Sequence, residues 1–390
     1  MSRTSVAVPV RASEESGVRV GPLELFFDLV FVLTVIQLTA LLADHLTWAQ
    51  GARVALLLSL LMWMYGGYAW LTNAVTPNSA VRRVLMVTGM TGFLVITLAI
   101  PDAFGDTGWA FGVGYFVVNA VHTGLFTVAG GAGVVRAFRR LGPLNLISAT
   151  LILVGGFLPG PARVALWAAA ALVQIASPYL NPIGEFRIAP AHFVERHSLL
   201  LLVVLGESLI SLGIGAAGLE IDAVLLLTAV LALVTAALMW WTYFGVGLPT
   251  VERALAAIEP RRRSLAAIHA FGWAHLAMFG GIIAFAAGVK KAISHADSHL
   301  VLTEAAALGL GIALFLAGDV AFRLVLRLPG ALPRAAAAVA AVAVIPAGMV
   351  AGVLGLATAV VVLGAMAFLE HRVRGLTWGD RAAWSTPAGS

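Results

Sequence analysis

The chain has 390 residues, of which 61% are hydrophobic and 11% charged, with a net charge of +5 and no cysteine. A soluble domain carries about 25% charged residues, so this composition excludes an ordinary water-soluble fold, and the missing thiols exclude disulfides, thiolate catalysis and cysteine metal sites. The basic residues sit in short clusters between apolar runs, with no basic helix or Arg-rich tail, which argues against nucleic acid as a partner.

Arg3, Arg11 and Arg19 precede the first apolar run, as in the basic region of a signal peptide. That run, 22–43, has the length of a full span and contains Glu24, Asp28 and Gln37, so it reads as a retained helix. Further runs follow at 51–73, 84–101, 109–131, 144–160, 162–180, 197–217, 222–247, 265–288, 301–322, 333–349 and 351–369. The pairs 144–160 with 162–180 and 333–349 with 351–369 are interrupted by little more than Gly and Pro. Each is either a hairpin of short helices or one broken or re-entrant element. The expected fold is an all-α integral membrane protein of about 12 transmembrane helices. Its parts are a cytoplasmic segment 1–21, a six-helix half 22–180, a cytoplasmic linker 181–196, a second six-helix half 197–369 and a cytoplasmic tail 370–390.

Charge tests the count. With twelve spans, 20 of the 24 basic residues fall on the side of the termini, and only Arg53, Arg163, Lys290 and Lys291 fall on the other. A wrong count would scramble this alternation. Positive loops stay cytoplasmic, so both termini are expected inside, in the plasma membrane. Trp48 and Trp109, at the starts of spans, suit interfacial anchoring.

The halves show a weak internal similarity. Leu61-Met62-Trp63 answers Leu238-Met239-Trp240, Arg82-Arg83 answers Arg261-Arg262-Arg263, and Glu24 and Glu195 each stand at the start of a half. Six spans per half would make the two repeats parallel, about an axis along the membrane normal.

Ionisable groups inside the membrane are costly and demand a role. Glu24 and Asp28 are four apart on one helix face, where two carboxylates repel unless a cation joins them. Arg196, which opens span seven, is the preferred cation. Glu207 sits in the middle of span seven beside Gly206 and Ser208, with Ser211 one turn on. A carboxyl at that depth is a candidate for proton exchange, or else a hydrogen-bonded structural group. Asn119 and His122 are cofacial in span four, and His269 shares a face with Trp273 in span nine. Lone histidines of this kind are more often packing residues than ligands. No HExxH, GxSxG or TVGYG string and no Gly-rich phosphate loop occurs, so no metal, cofactor or catalytic residue is assigned. Asp319 and Arg323, four apart, read as a self-neutralised helix end.

Pro22-Leu23-Glu24-Leu25-Phe26-Phe27-Asp28-Leu29-Val30-Phe31-Val32, followed by Gln37-Leu38, resembles the N-terminal signature of the bacterial low temperature requirement A (LtrA) family. Glu195-Arg196 with Leu205-Gly206-Glu207-Ser208 resembles that family's second signature, and Trp240-Trp241-Thr242-Tyr243-Phe244 is also similar to it. The resemblance runs from about 20 to 370 and implies a polytopic inner-membrane protein. It marks Glu24, Asp28, Glu195, Arg196 and Glu207 and implies no particular substrate or reaction.

The leading functional expectation is a proton-linked secondary transporter or exporter of a small molecule. Glu207 would titrate, and Glu24, Asp28, Glu195 and Arg196 would form an ionic lock on the cytoplasmic side. An intramembrane enzyme acting on lipid or isoprenoid substrates, or a non-catalytic stress and cold-adaptation factor with purely structural charges, are the alternatives. A water-accessible cavity between the halves that reaches Glu207 would favour transport, and a sealed Glu207 bonded to backbone or Trp would favour structure.

Overall fold

The computed structural model describes residues 20–74, 79–129, 132–181 and 188–374, and these contain helices and no strand. Arg3, Arg11, Arg19, Arg187 and Arg381, and with them most of the expected N-terminal segment and tail and the middle of the linker, lie outside the described residues.

The first half comprises α1 (Pro22–Asp44), α2 (Trp48–Ala74), α3 (Ala80–Ala99, extended by a 3-10 turn Ile100–Asp102), α4 (Gly108–Ala129), α5 (Ala132–Gly156) and α6 (Gly160–Leu180). The second comprises α7 (Pro190–Ala216), α8 (Ala223–Phe244), α9 (Leu248–Ala257), α10 (Pro260–Ala267), a π-helical turn (Ile268–Ala274), α11 (His275–Ser294), α12 (Leu302–Leu326), α13 (Ala331–Ala340), a 3-10 turn (Ala341–Ala343), α14 (Val344–Val350) and α15 (Gly352–Arg374). Among the described residues, eleven helical runs are long and apolar enough to cross a membrane, and α5 supplies a shorter apolar stretch, Arg140–Gly156. The twelve-helix expectation therefore holds, with α5 the least apolar member. The first Gly/Pro-interrupted pair is a hairpin of α5 and α6, and in the second a broken run, α13 to α14, packs on α15.

Local chemistry sets the boundaries. Pro22, Pro190 and Pro260 open α1, α7 and α10, where a missing N–H costs nothing. Ser79 Oγ accepts from Arg82 N and Asp222 Oδ1 from Leu225 N, capping α3 and α8. Gly247 has φ of 78° and turns the chain from α8 into α9, a short helix that the apolar count alone missed. The linker is also shorter than expected: α7 begins at Pro190, so Glu195 and Arg196 are helical.

Each helix divides into an apolar outer face and an inner face that carries the polar groups. On α1, Phe26, Leu29 and Leu33 are exposed to the hydrocarbon, whereas Glu24, Phe27, Asp28 and Phe31 are buried. This is the only sheltered place for a carboxylate in a span.

The two halves pack by the same plan. In the first, α1 touches α2 and α3, α2 touches α4 and α6, and α3–α4, α4–α5 and α5–α6 are neighbours. In the second, α7 touches α8 and α11, α8 touches α12 and α15, α11 packs on α12, and α12 packs on α13 and α14, which pack on α15. Close helix contacts match as well. A methyl added to Gly114 would meet Gly92 O at 2.9 Å together with Ile96, and one added to Gly311 would meet Gly281 O at 2.9 Å together with Phe285. Glycine at both crossings lets the backbones touch, the usual means of helix association in lipid.

The four minority basic residues gather at one end of the bundle. Lys290 Nζ lies 3.4 Å from Asp44, Lys291 Nζ lies 4.0 Å from Glu304, and Arg53 stands over the Phe104 ring. Arg163 is buried and spans two connections. Its Nε donates to Leu158 O at 2.9 Å, and one terminal nitrogen donates to Ala103 O at 2.9 Å and Gly105 O at 2.6 Å. The other reaches Gly156 O at 3.2 Å, so this one side chain satisfies carbonyls at the end of α5 and in the turn before α4. Arg163→Met is expected to lower stability by about 2–3 kcal/mol, since several charge-assisted bonds are lost and only partly replaced by water. Thermal unfolding in lipid nanodiscs measures this, and an unchanged midpoint would show that the clamp is dispensable.

Candidate functional site

Glu24 and Asp28 stand one turn apart on α1, and His192 and Arg196 stand one turn apart on α7. The helices meet so that acids face bases. His192 Nε2 donates to Glu24 Oε2 at 3.0 Å, and Arg196 donates to Asp28 Oδ1 at 3.0 Å from one terminal nitrogen and at 3.4 Å from Nε. The other terminal nitrogen lies 3.6 Å from Glu24 Oε1 and also bonds the Thr72 hydroxyl. All four side chains are buried, with Arg196 only 1% exposed.

Neighbouring groups orient each member. Asn73 Nδ2 donates to His192 Nδ1 at 3.3 Å, which leaves the Nε2 proton for Glu24. Glu24 Oε2 also accepts the Gly21 backbone N–H at 2.9 Å, so this carboxylate caps its own helix. Tyr65 from α2 donates its hydroxyl to Asp28 Oδ1 at 3.0 Å. The Arg196 guanidinium lies 5.7 Å from the Phe27 ring centroid and 5.6 Å from that of Tyr65. Cation–π contact thus replaces part of the hydration a buried guanidinium loses. The result is a compact cluster, two acids against one cation and one histidine, fastening α1, α2 and α7 together.

A cavity of about 120 Å³ opens beside it. Its walls come from α2, α4, α5 and α6 of the first half and from α7, α10, the π turn and α11 of the second. Trp63, Tyr65, His122, Asn145, His197 and Trp273 are among the lining residues, and no carboxylate is. Trp63 and Trp273, one from each half, stack with centroids 6.1 Å apart. Tyr65 belongs to both features, since its ring lines the cavity and its hydroxyl binds Asp28. The π turn contributes Ile268, Phe271, Gly272 and Trp273; such turns are frequent at functional sites.

The chain matches the family described as Bacterial low temperature requirement A protein (LtrA) across residues 19–368. It belongs to the LtrA family. An uncharacterized protein of Rhizobium meliloti (strain 1021) is 29% identical over 309 residues, covering 76% of this chain and 75% of that protein. In this LtrA chain the N-terminal signature is the first half of α1. The second motif lies on α7, and of the two only Glu24, Asp28 and Arg196 meet in the cluster just described.

Not every sequence-marked residue joins it. Glu195 points away from Arg196 and accepts the Val20 N–H at 3.4 Å. Gln37 is half-buried, more than two turns beyond Asp28. Glu207 is buried outside the cavity wall. Its Oε1 accepts from Ser211 at 3.1 Å, while its Oε2 and the Ser208 hydroxyl have no partner among the described residues. Asn119 Nδ2 reaches Asn145 O at 3.4 Å, which places it behind the cavity wall, whereas His122 is in that wall. His269 is half-buried and bonds Tyr179 at 3.0 Å, and Tyr179 also accepts from Trp273 Nε1 at 3.0 Å.

Three functional-looking features escaped the sequence reading. His192 was lost because α7 was expected to start at 197, although its spacing to Arg196 repeats that of Glu24 to Asp28. A second buried cluster joins Asp319 and Arg323 of α12 to Arg334 of α13 and Glu370 of α15. Both guanidiniums there donate to Thr242 O, at 2.9 and 3.0 Å. A polar chain also runs from Ser198 through Tyr243 to His275, with steps of 3.2 Å each, and ends where His275 Nδ1 donates to Ala270 O at 2.8 Å.

Proposed function

We propose that this LtrA protein is a secondary transporter whose two six-helix halves rock about the seam between them. The observation that carries the reading is the placing of the cavity and the four-residue cluster together on that seam. Charged groups buried between moving halves serve as a lock that costs little when paired and much when half-paired. We further read the halves as parallel repeats. The shared packing plan and the matched glycine crossings support this, and so does the Ala110-x-Gly112-x-Gly114 pattern of α4, which recurs as Ala307-x-Gly309-x-Gly311 in α12. Parallel repeats of this kind are common among transporters.

In this conformation the cavity lies in the membrane half that holds the beginnings of α1 and α7. The positive-inside bias makes that the cytoplasmic side of the plasma membrane. We read this as a state with the cavity in the cytoplasmic half beside a closed lock, the opposite half being held by the glycine crossings and the Arg163 clamp. The lock consists of Glu24, Asp28, His192 and Arg196, with Glu195 at its margin. Opening the outer half requires α1 and α7 to shift against each other, so the lock breaks or re-pairs in each cycle.

Glu207 is the proposed proton site. The cavity does not reach it, so the geometry that would have favoured transport at this residue is not met; it is a lone buried carboxyl of α7 bonded to Ser211 alone among the described residues, and the proposed role requires water to reach it in the other conformation. The test uses the purified protein in vesicles loaded with a pH-sensitive dye and challenged with a panel of small molecules. Glu207→Gln is expected to fold and insert normally and to lose substrate-evoked proton movement. A Gln variant that moves protons as the native chain does would remove Glu207 from the mechanism.

A further inference from the structure

His197, in the cavity wall, presents an acceptor with no hydrogen-bond partner among the described residues. His197 Nδ1 lies 2.8 Å from the Phe193 carbonyl, which can only accept, so the ring proton is on Nδ1 and Nε2 is left as an acceptor. His197 is 2% exposed, and among the described residues its Nε2 has no hydrogen-bond partner. The little surface that the side chain keeps is on the cavity. A ring nitrogen left in this state at a cavity wall favours any ligand that can donate to it.

The rest of the wall defines the donor. It is built from aromatic and aliphatic faces, among them Trp63, Trp70, Phe126 and Phe271, and no charged side chain lines it. Asn145, 8% exposed, accepts from Trp63 Nε1 at 3.4 Å through Oδ1, which leaves its amide N–H groups for a second partner. The volume of about 120 Å³ is close to the roughly 150 Å³ of apolar cavities that hold one benzene ring.

We propose that this cavity binds a neutral, single-ring aromatic molecule carrying a hydroxyl, a compound of the phenol class. The ring lies among the tryptophan and phenylalanine faces. The hydroxyl donates to His197 Nε2, and its oxygen accepts from the Asn145 amide. The acidity of a phenolic hydroxyl makes it a stronger donor to imidazole than an aliphatic alcohol. As the identity of the transported molecule this rests on the transport reading; as a binding site it stands alone.

The experiment is calorimetric titration of phenol, benzene and cyclohexanol into the full chain in lipid nanodiscs, corrected by empty discs. Phenol is expected to bind tightest. His197→Phe, an aromatic exchange beside Phe193 and Phe271, is expected to weaken phenol about tenfold and to leave benzene unchanged. Gly66 lines the cavity and a Cβ added there meets nothing within 4 Å, so Gly66→Leu adds bulk at the wall from an uncrowded position. That variant is expected to lose all three ligands while unfolding at the native temperature. Equal affinity for phenol and benzene, or phenol binding that survives both variants, would overturn the site. Equal affinity for cyclohexanol would overturn the aromatic class. If binding behaves as expected and no flux of phenol is found in vesicles, the transport reading fails and the site remains.

Discussion

Arg196→Leu is expected to destabilise the protein by about 3–5 kcal/mol, the usual effect of stripping one partner from a buried ion pair. The size follows from what is left behind. Asp28 would keep only the Tyr65 hydroxyl, Glu24 would keep His192 and the Gly21 N–H, and two carboxylates one turn apart would face each other in a sealed site. Reversible unfolding in bicelles, followed by tryptophan fluorescence, gives the number. Asp28→Arg combined with Arg196→Asp is expected to recover at least half of the loss, because the pair is restored with its direction reversed. If the single change costs under about 1 kcal/mol, the cluster is not holding the seam, and the lock role falls with it.

Asp319→Leu is expected to have an effect of the same order, about 3–5 kcal/mol, for the opposite reason. Asp319 Oδ2 lies 2.8 Å from Arg323 Nε and 2.6 Å from Arg334 Nε, and it is fully buried. Removing it takes from two guanidiniums the carboxylate they share, while Arg334 keeps its pairing with Glu370. The damage should be regional, since the cluster joins α8, α12, α13 and α15. Hydrogen exchange read by mass spectrometry is expected to rise in those four helices and to stay unchanged in α1 to α6. A uniform rise across both halves would show that the second half does not unfold as a unit of its own.

The sequence reading succeeded where the physics is additive. Apolar stretches depend on composition along a line, and among the described residues eleven return as helical runs long and apolar enough to cross a membrane, with α5 a shorter one. It found Glu24, Asp28 and Arg196 because charge in hydrocarbon is expensive enough to stand out residue by residue. It did not find His192, because a helix start shifted by seven residues hid a spacing that otherwise mirrors α1. Arg334 and Glu370 were given no role, since nothing along the chain says that α13 and α15 bring them to Asp319. The cavity is invisible in the same way. It is made by gaps between eight segments, and most of its lining residues, taken singly, are ordinary apolar or aromatic ones.

The division of charge at the α1–α7 contact also decides which half can pair with which. The first half offers only carboxylates there and the second only a histidine and a guanidinium. Two copies of the first half, set together in this geometry, would bury four acids with no base; two copies of the second would bury like charges of the other sign. Specificity is therefore built by repulsion against self as much as by attraction to the mate. If the chain were cut in the connection between α6 and α7, the fragments would be selective heterodimerisers, each rejecting its own kind.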